Sequence, residues 1–413
     1  MPGFLRFATA GSVDDGKSTL IGRLLHDAKA LLADQLEHVE ETSRRRGDGF
    51  VDLALITDGL RAEREQGITI DVAYRAFATP RRRFLIADCP GHAQYTRNMV
   101  TGASTAELAL ILVDVRHGMT EQSRRHAAIA RLLGVRHVTV CVNKMDLADW
   151  SEEAFDGVVR DFLDWSARLG LHGVTFIPIS ALHGDNVVDR SERMDWYAGD
   201  SLLEHLETVS LAPSLSELPA RLPVQWVIRP HPTERPDERL YAGQIAAGTL
   251  RPGDEVVVLP SGARSRIARI DGPAGEEREA CAPMSVAVTL ADDLDAGRGD
   301  LLAAPQTLPA TVRELSATVC WLGEQPARPG ARYLLKHTTR TVPARLEAIE
   351  HRLDVVTLAE SRADALALND IARVRLRTGS DLLVDPYLES RSTGAFILID
   401  PASNDTVGAG MVA

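Results

Sequence analysis

Four residues in the stretch GSVDDGKST, at positions 11–19, have the types and the spacing needed to hold phosphate groups. They are Gly11, Gly16, Lys17 and Ser18, which form the pattern GxxxxGK[ST] between an apolar run and a helix-like segment. Glycines let successive backbone N–H groups point inward, the amino end of the helix adds positive potential, and the lysine ammonium pairs with phosphate oxygens. A Gly-rich turn without a ligand is the alternative interpretation. The predicted phosphate-binding residues are Gly11, Ser12, Val13, Asp14, Asp15, Gly16, Lys17, Ser18 and Thr19.

Two further segments have the residue types that distinguish guanine from adenine. The apolar run HVTVCV ends in NKMD at residues 143–146, and GVTFIPIS leads into SAL at residues 180–182. A carboxylate at Asp146 can accept hydrogen bonds from N1–H and the exocyclic amine of guanine, whereas adenine would leave it unpaired. The sequence therefore predicts GTP as the nucleotide. The predicted guanine-binding residues are Asn143, Lys144, Asp146, Ser180, Ala181 and Leu182.

Three oxygen-bearing residues are candidates for holding Mg²⁺ beside the phosphates. The Ser18 hydroxyl would bind the ion directly, and Thr69, within GITI, would close over both the ion and the γ-phosphate. Asp88, at the end of the apolar run RFLIAD, would act on the ion through water. Loss of the γ-phosphate would release the segments around Thr69 and Asp88, which predicts an order–disorder switch.

The segment DCPGH, at residues 88–92, is predicted to contact the γ-phosphate and to supply a catalytic histidine. His92 stands where small signalling GTPases place a glutamine, and a histidine there can orient the attacking water and stabilise charge in the transition state. A helix-capping surface residue is the alternative for His92. The predicted catalytic residues are His92, Lys17, Thr69 and Gly91. The predicted nucleotide-binding residues of this segment are Asp88, Cys89, Pro90, Gly91 and His92.

The motifs must be positioned by the apolar runs that precede them, FLRFATA, RFLIAD, HVTVCV and GVTFIPIS, which predict strands, and by STLIGRLL, which predicts the first turns of a helix. With the phosphate-loop pattern, they predict an α/β P-loop domain with a mostly parallel sheet flanked by helices. After the Pro- and Ser-containing stretch VSLAPSLSELPARLP, short β-like runs separated by turn residues predict two all-β barrel domains. The predicted boundaries are 1–212 for the GTP-binding domain, 213–309 for the first barrel and 310–413 for the second.

Composition limits the class of protein and its partners. The chain has 413 residues, a net charge of −12 and four widely spaced cysteines, which suit neither a zinc site nor a disulfide framework. The acidic balance disfavours nucleic acid as a partner. No apolar stretch is long enough to span a membrane and the N-terminus has no leader pattern, so we expect no membrane association and a cytoplasmic location.

The motifs GSVDDGKS, GITI, DCPGH, NKMD and SAL together resemble the translational class of GTPases, which includes the translation elongation factors. Most members of that class have a loop like GHVDHGK, and here Ser12 and Asp15 replace its two histidines. Longer stretches resemble CysN, the family of GTPase (large) subunits of bacterial ATP sulfurylase. They are DGLRAEREQGITIDVAYRAF, RNMVTGAS, LLGVRHVTVCVNKMDL, LPVQWVIRP and LLKHTTRTV, so the resemblance covers nearly the whole chain. Cys89, where threonine is common, departs from the pattern.

The resemblance implies a sulfate adenylyltransferase in which GTP hydrolysis drives synthesis of adenosine 5′-phosphosulfate and pyrophosphate from ATP and sulfate. It also implies that adenylyl transfer takes place on a separate small catalytic subunit, with which this chain forms a heteromeric complex. In agreement with this, the chain has no second nucleotide motif. An adenylylsulfate kinase activity, which some relatives carry in a fused domain, is therefore predicted to be absent.

Two other functions are compatible with the GTP-binding motifs. A translation carrier would bind aminoacyl-tRNA through the barrels and would need a basic cleft, which the net charge of −12 disfavours. A GTPase that acts in the assembly of another complex is the second alternative. Each of the three functions predicts a different partner in the cell.

Overall fold

A computed structural model of the chain describes residues 3–30, 53, 71–90, 96–171, 173–210, 215–229 and 238–413. The chain divides into two compact units. The first consists of Met1–Leu211 together with Val355–Leu358, and the second of Ala212–Asp354 together with Ala359–Ala413. Among the described residues, no helix is both long enough and apolar enough to cross a membrane.

Strands and helices alternate in the first unit. Its described strands are β1 (Gly3–Gly11), β2 (Ala73–Ala78), β3 (Arg82–Asp88), β4 (Leu108–Asp114), β5 (His137–Asn143) and β6 (Thr175–Pro178). Its described α-helices are α1 (Lys17–Asp27), α2 (Thr96–Ala103), α3 (Glu121–Leu132), α4 (Glu152–Leu169) and α5 (Leu202–Thr208), with a 3₁₀ turn at Met145–Ala148.

The six described strands of the first unit form one sheet in the order β2-β3-β1-β4-β5-β6. The pair β2–β3 is antiparallel and the other pairs are parallel, which confirms the predicted mostly parallel α/β domain. Thr9 lies opposite Asp88, and Asp114 lies opposite Asn143. The carboxyl ends of β1, β3, β4 and β5 therefore meet at one edge of the sheet, where ligands bind in folds of this kind.

Apolar burial and side-chain caps account for these elements. Every residue of β4, LALILVD, is buried, as expected for a central strand covered on both faces. The hydroxyls of Thr120, Ser151 and Ser201 accept the backbone N–H three residues later and so begin α3, α4 and α5. In α5 the carboxylate of Glu204 also accepts a hydrogen bond from the Ser201 N–H, which completes a capping box.

The second unit is built almost entirely from antiparallel strands. The first series is β7 (Arg221–Pro223), β8 (Trp226–Ile228), β9 (Leu240–Gln244), β10 (Thr249–Leu250), β11 (Glu255–Leu259), β12 (Ala263–Gly272), β13 (Gly275–Glu276), β14 (Ala280–Cys281), β15 (Ser285–Leu290) and β16 (Leu301–Ala303). The second series is β17 (Ala310–Trp321), β18 (Arg332–His337), β19 (Arg340–Leu353), β20 (Glu360–Ser361), β21 (Ile371–Val384), β22 (Ala395–Ile399) and β23 (Thr406–Val412), with the short helix α6 (Arg391–Gly394).

Each series curls into a barrel, as predicted. In the first, the sheet runs β7-β16-β11-β12-β15-β9-β8, and backbone bonds between Arg221 and Ala247 bring its first strand back towards β9. In the second, the order is β18-β22-β23-β17-β21-β19, and β18 pairs with both β22 and β19, so the ring closes. The domain boundaries at 212/213 and 309/310 stay predictions.

Candidate functional site

The predicted phosphate loop, residues 11–19, joins β1 to α1 and has a backbone that requires glycine at one point. Gly16 has φ 89° and ψ 29° and stands directly before α1. A Cβ atom there would lie 2.6 Å from Nδ2 of Asn143, closer than real Cβ atoms come. Glycine therefore allows both the left-handed turn and the close approach of Asn143.

The loop is closed by its own polar groups. The Ser12 N–H donates to Oδ2 of Asp15 at 2.6 Å, and the hydroxyls of Ser12 and Thr120 are also 2.6 Å apart. Burial raises the pKa of Asp15, although the Ser12 N–H and the charge of Lys17 oppose the shift. The link to Thr120 joins the loop to the residue that caps α3, so the loop is held from outside its own segment.

The ammonium group of Lys17 lies inside the loop. Its Nζ donates to the carbonyl oxygens of Gly11 and Ser12, both at 2.9 Å, and the side chain is buried. Burial lowers the pKa of Lys17, while the carboxylates of Asp88 and Asp15 act in the opposite direction. A buried cation held by carbonyl groups at the start of a helix is suited to pairing with phosphate oxygens.

Asn143, at the end of β5, connects three segments of the chain. Its Nδ2 donates to the Asp15 carbonyl at 2.8 Å, and its Oδ1 accepts the Ala181 N–H at 3.0 Å. The residue is buried. The phosphate loop, the NKMD segment and the SAL segment are thus held by one amide side chain, which is the arrangement needed for a base pocket that adjoins a phosphate site.

Lys144 is clamped between the phosphate loop and the end of β4. Its Nζ donates to the Asp14 carbonyl at 2.6 Å and lies 3.0 Å from Oδ2 of Asp114. Arg116 adds three hydrogen bonds to the same carboxylate, two from its guanidinium group at 3.0 and 2.7 Å and one from its backbone N–H at 3.0 Å. Burial alone would raise the pKa of Asp114, but the hydrogen bonds from Arg116 and Lys144 hold that pKa well below its usual range. Asp114 therefore stays ionised.

The predicted guanine carboxylate also has a defined partner. Oδ1 of Asp146 accepts the Ser180 hydroxyl at 2.7 Å, and the Ser180 oxygen accepts the His183 N–H at 3.2 Å. Nη2 of Arg23, on α1, donates to the Leu182 carbonyl at 2.5 Å. These contacts tie the SAL segment to both the NKMD segment and α1.

The end of β3 is buried beside the loop. The Thr9 hydroxyl donates to Oδ1 of Asp88 at 2.9 Å, and the Cys89 N–H donates to the Thr9 carbonyl at 3.3 Å. Cys89 and Pro90 are both buried. Burial raises the pKa of the Cys89 thiol well above its usual range, so this thiol stays protonated.

The remaining predicted residues divide into two groups. Ser18 and Thr19 lie in the first turn of α1, and Val13 is exposed at the tip of the loop. Three predicted residues lie outside the described residues: Thr69, Gly91 and His92.

The sequence reasoning missed three residues that shape the site. Asp114 contacts Lys144, Thr120 contacts Ser12, and Arg23 contacts the SAL segment. A signal for Asp114 was present, because LALILV followed by Asp is an apolar strand that ends in a carboxylate, as β3 does. Thr120 and Arg23 had no comparable signal, because their contacts join residues more than 100 positions apart.

One buried histidine lies on α3 near the loop. His126 is 3% exposed, and its Nδ1 has no hydrogen-bond partner among the described residues. Burial lowers the pKa of His126 to about 3, and the charges of Lys17 and Arg125 add to that shift. The imidazole is therefore neutral at physiological pH.

Similarity to known proteins extends over both units. The family called Elongation factor Tu GTP binding domain matches residues 3–214, and the family GTP-eEF1A C-terminal domain-like matches residues 314–413. The bifunctional enzyme CysN/CysC of Mycobacterium tuberculosis is 59% identical over 100% of this chain and 67% of that protein. The sulfate adenylyltransferase subunit 1 proteins of Laribacter hongkongensis and Bacteroides fragilis are 49% and 50% identical, over 99% of this chain and 85% of each relative.

Proposed function

This chain belongs to the family of sulfate adenylyltransferase subunit 1, and from that premise we propose that it hydrolyses GTP to drive sulfate activation on a partner subunit. In the driven reaction an oxygen of sulfate attacks the α-phosphorus of ATP, pyrophosphate leaves, and adenosine 5′-phosphosulfate forms. The product is a mixed phosphate–sulfate anhydride that forms very unfavourably, so its synthesis needs a second source of free energy. Hydrolysis of GTP on this chain supplies it.

The observation that carries the proposal is that the NKMD segment is hydrogen-bonded to the predicted phosphate loop within the first unit. Asn143 bonds the phosphate loop at Asp15, and Lys144 bonds it at Asp14. A loop suited to phosphates and a strand end suited to guanine are therefore held in one rigid arrangement. Such an arrangement supports binding of GTP as a single ligand rather than of phosphate or a base alone.

In the proposed complex, the chain contacts both ends of the nucleotide. Lys17 and the N–H groups of residues 11–19 hold the phosphates, and Asp146 accepts N1–H and the exocyclic amine of guanine. The Ser180 hydroxyl, which donates to Asp146 at 2.7 Å, holds that carboxylate in place. Leu182 and the Lys144 stem flank the base.

Mg²⁺ is part of the proposal because the loop offers the oxygen ligands that this ion prefers. The Ser18 hydroxyl lies in the first turn of α1, and the buried carboxylate of Asp88 ends the neighbouring strand β3. Thr69 is the third proposed ligand. When bound, the ion would neutralise phosphate charge.

His92 is the proposed residue for hydrolysis. It would orient the attacking water, while the Gly91 N–H would contact the γ-phosphate, Thr69 would close over the ion and the γ-phosphate, and Lys17 would stabilise the developing charge. We expect His92→Ala to retain GTP affinity and to lose most of the turnover that the partner stimulates. His351→Ala, on β19 of the second unit, serves as the matched control. Unchanged stimulated turnover in His92→Ala would remove this residue from the mechanism.

The proposed partner is the small catalytic subunit of ATP sulfurylase. The charge of −12 gives no support to a nucleic-acid partner.

The proposed location is the cytoplasm. The chain has four free thiols, which suit a reducing compartment: Cys89, Cys141, Cys281 and Cys320.

One experiment tests the coupling directly. The purified chain and the purified small subunit are mixed with ATP and sulfate, with and without GTP, and adenosine 5′-phosphosulfate is measured. We expect GTP to raise the product yield, and Asp146→Asn to reduce that effect because it weakens guanine binding. A yield that is indifferent to GTP would overturn the proposal.

A further inference from the structure

Three arginines lie side by side on the outer face of the second barrel. Arg332 on β18 is directly opposite Arg345 on β19, and Arg345 is directly opposite Arg377 on β21. All three are exposed, whereas the adjacent residues Leu346 and Leu376 are buried in the core, so the three side chains share the outer face. Directly opposed residues have Cβ atoms about 4.5–5.5 Å apart. We call Arg332, Arg345 and Arg377 the arginine row.

The charges of the arginine row are poorly neutralised. Within the part of the chain that the structure describes, Arg332 and Arg377 have no ion pair, and Arg345 reaches one carboxylate, that of Glu347 at 3.6 Å. Glu314 stands opposite Arg377 on β17 but forms no salt bridge with it. Like charges in directly opposed positions destabilise a sheet. The row therefore lowers the stability of the isolated barrel.

The first barrel shows how the same chain neutralises an arginine. There Glu255 stands directly opposite Arg266, and its Oε1 accepts a hydrogen bond from Nη2 of Arg266 at 2.6 Å. The chain has 58 acidic and 46 basic residues, so carboxylates are in excess. A row of opposed arginines in such a chain points to a binding role for the row.

An apolar area borders the row. Leu334, two residues from Arg332, lies opposite both Pro343 and Ile399, and all three of these apolar residues are exposed or half-buried. Arginines beside apolar side chains are typical of protein interfaces. Binding of nucleic acid is favoured instead by a strongly basic chain and by aromatic platforms, and the net charge here is −12.

From this geometry we propose that the arginine row and the adjacent apolar area dock an acidic surface of the partner subunit. The proposal rests on the proposed function, which gives the chain such a partner. Carboxylates of the partner would pair with Arg332 and Arg377 and relieve the like-charge repulsion, and an apolar side chain of the partner would cover Leu334 and Pro343. Paired charges of this kind set specificity and the rate of association.

The test uses charge reversal in the full chain. Arg332→Glu and Arg377→Glu are combined in one variant, and Arg264→Glu combined with Arg278→Glu, two exposed arginines of the first barrel, is the matched control. The dissociation constant for the purified small subunit is measured by calorimetry at low and at high salt, and GTP affinity is measured in parallel. We expect the row variant to bind the small subunit about 10- to 100-fold more weakly, with reduced salt dependence, and the control to bind normally.

The outcomes distinguish this proposal from the function on which it rests. If the row variant binds the small subunit normally while GTP still drives product formation, the docking surface is wrong and the function stands. If the unmodified chain binds no small subunit at all, both fail. If the unmodified chain binds tRNA and the row variant does not, the occupant is nucleic acid and the protein partner is wrong. Because the row lies in the second unit, folding of the variant is checked by its far-UV circular dichroism spectrum and its thermal unfolding, which should equal those of the unmodified chain.

Discussion

Replacement of Asp114 by alanine tests whether a residue that does not belong to any nucleotide motif controls GTP affinity. The Asp114 carboxylate is 2% exposed and lies 3.0 Å from Nζ of Lys144, which also bonds the phosphate loop at Asp14. We infer that Asp114 is a positioning residue, since it holds Lys144, which is predicted to cover the guanine base. Without the carboxylate, Lys144 would keep one anchor and gain rotational freedom.

The size of the effect follows from the kind of bond that is lost. A hydrogen bond between charged groups contributes about 1.5–3 kcal/mol. The Lys144 side chain is 24% exposed, and partial solvation lowers the expected contribution to about 1–2 kcal/mol. We therefore expect Asp114→Ala to weaken GTP binding by about five- to thirtyfold.

The assay is an equilibrium titration with a fluorescent GTP analogue, together with its dissociation rate. The matched control is Arg116→Gln, which removes the other cation on Asp114 and leaves the contact with Lys144. Since Arg116 is 42% exposed, we expect this control to change affinity by no more than about threefold. An Asp114→Ala variant that is folded and binds GTP as tightly as the unmodified chain would refute the positioning role.

Three further predictions concern the same unit. We expect Gly16→Ala to reduce GTP affinity at least about tenfold. The alanine Cβ would collide with Nδ2 of Asn143, and the φ of 89° at position 16 is strained for any residue with a side chain. Normal GTP affinity in the titration would contradict this prediction. Asp146→Asn is expected to shift preference from guanine towards xanthine nucleotides, since an amide N–H can donate to the oxygen that xanthine has in place of the guanine amine. Competition binding with both nucleotides measures this preference. Burial lowers the pKa of His126 to about 3, below its unfolded value of 6.5, so its contribution to stability is complete above pH 6.5 and falls as pH decreases towards 3, by on the order of 1 kcal/mol at pH 5.5. The loss of thermal stability between pH 7.5 and 5.5 should therefore be smaller in His126→Leu, and an equal loss in both proteins would show that another group is responsible.

The nucleotide motifs were readable from the sequence because their residues are close together in the chain. The loop covers residues 11–19 and the NKMD segment covers residues 143–146. In each, the local backbone alone brings the predicted binding groups together. The strands β1, β3, β5 and β6 were recognisable as apolar runs that lead into the motifs. The fold class and the identity of the nucleotide could therefore be predicted.

The contacts between these segments could not be read in the same way. The Ser12–Thr120 bond joins positions 108 apart, and Arg23 reaches Leu182 across 159 positions. No periodicity or spacing encodes such pairs, because they depend on how the helices pack against the sheet. The same holds for Asp114, whose partner is set by the register that places it opposite Asn143.

The chain's local patterns thus determined that it has a GTP-binding domain with a predicted phosphate loop and guanine-binding segment, followed by two series of antiparallel strands. Only the tertiary structure decided which charges meet. Arg332, Arg345 and Arg377 stand 13 and 32 residues apart, and a bulge in β19 between Leu346 and Ala348 alters the pairing with β21 just beyond the row. Because side chains alternate between the two faces of a strand, a shift of one residue would turn an arginine into the core, so the row exists only through the register of the folded sheet.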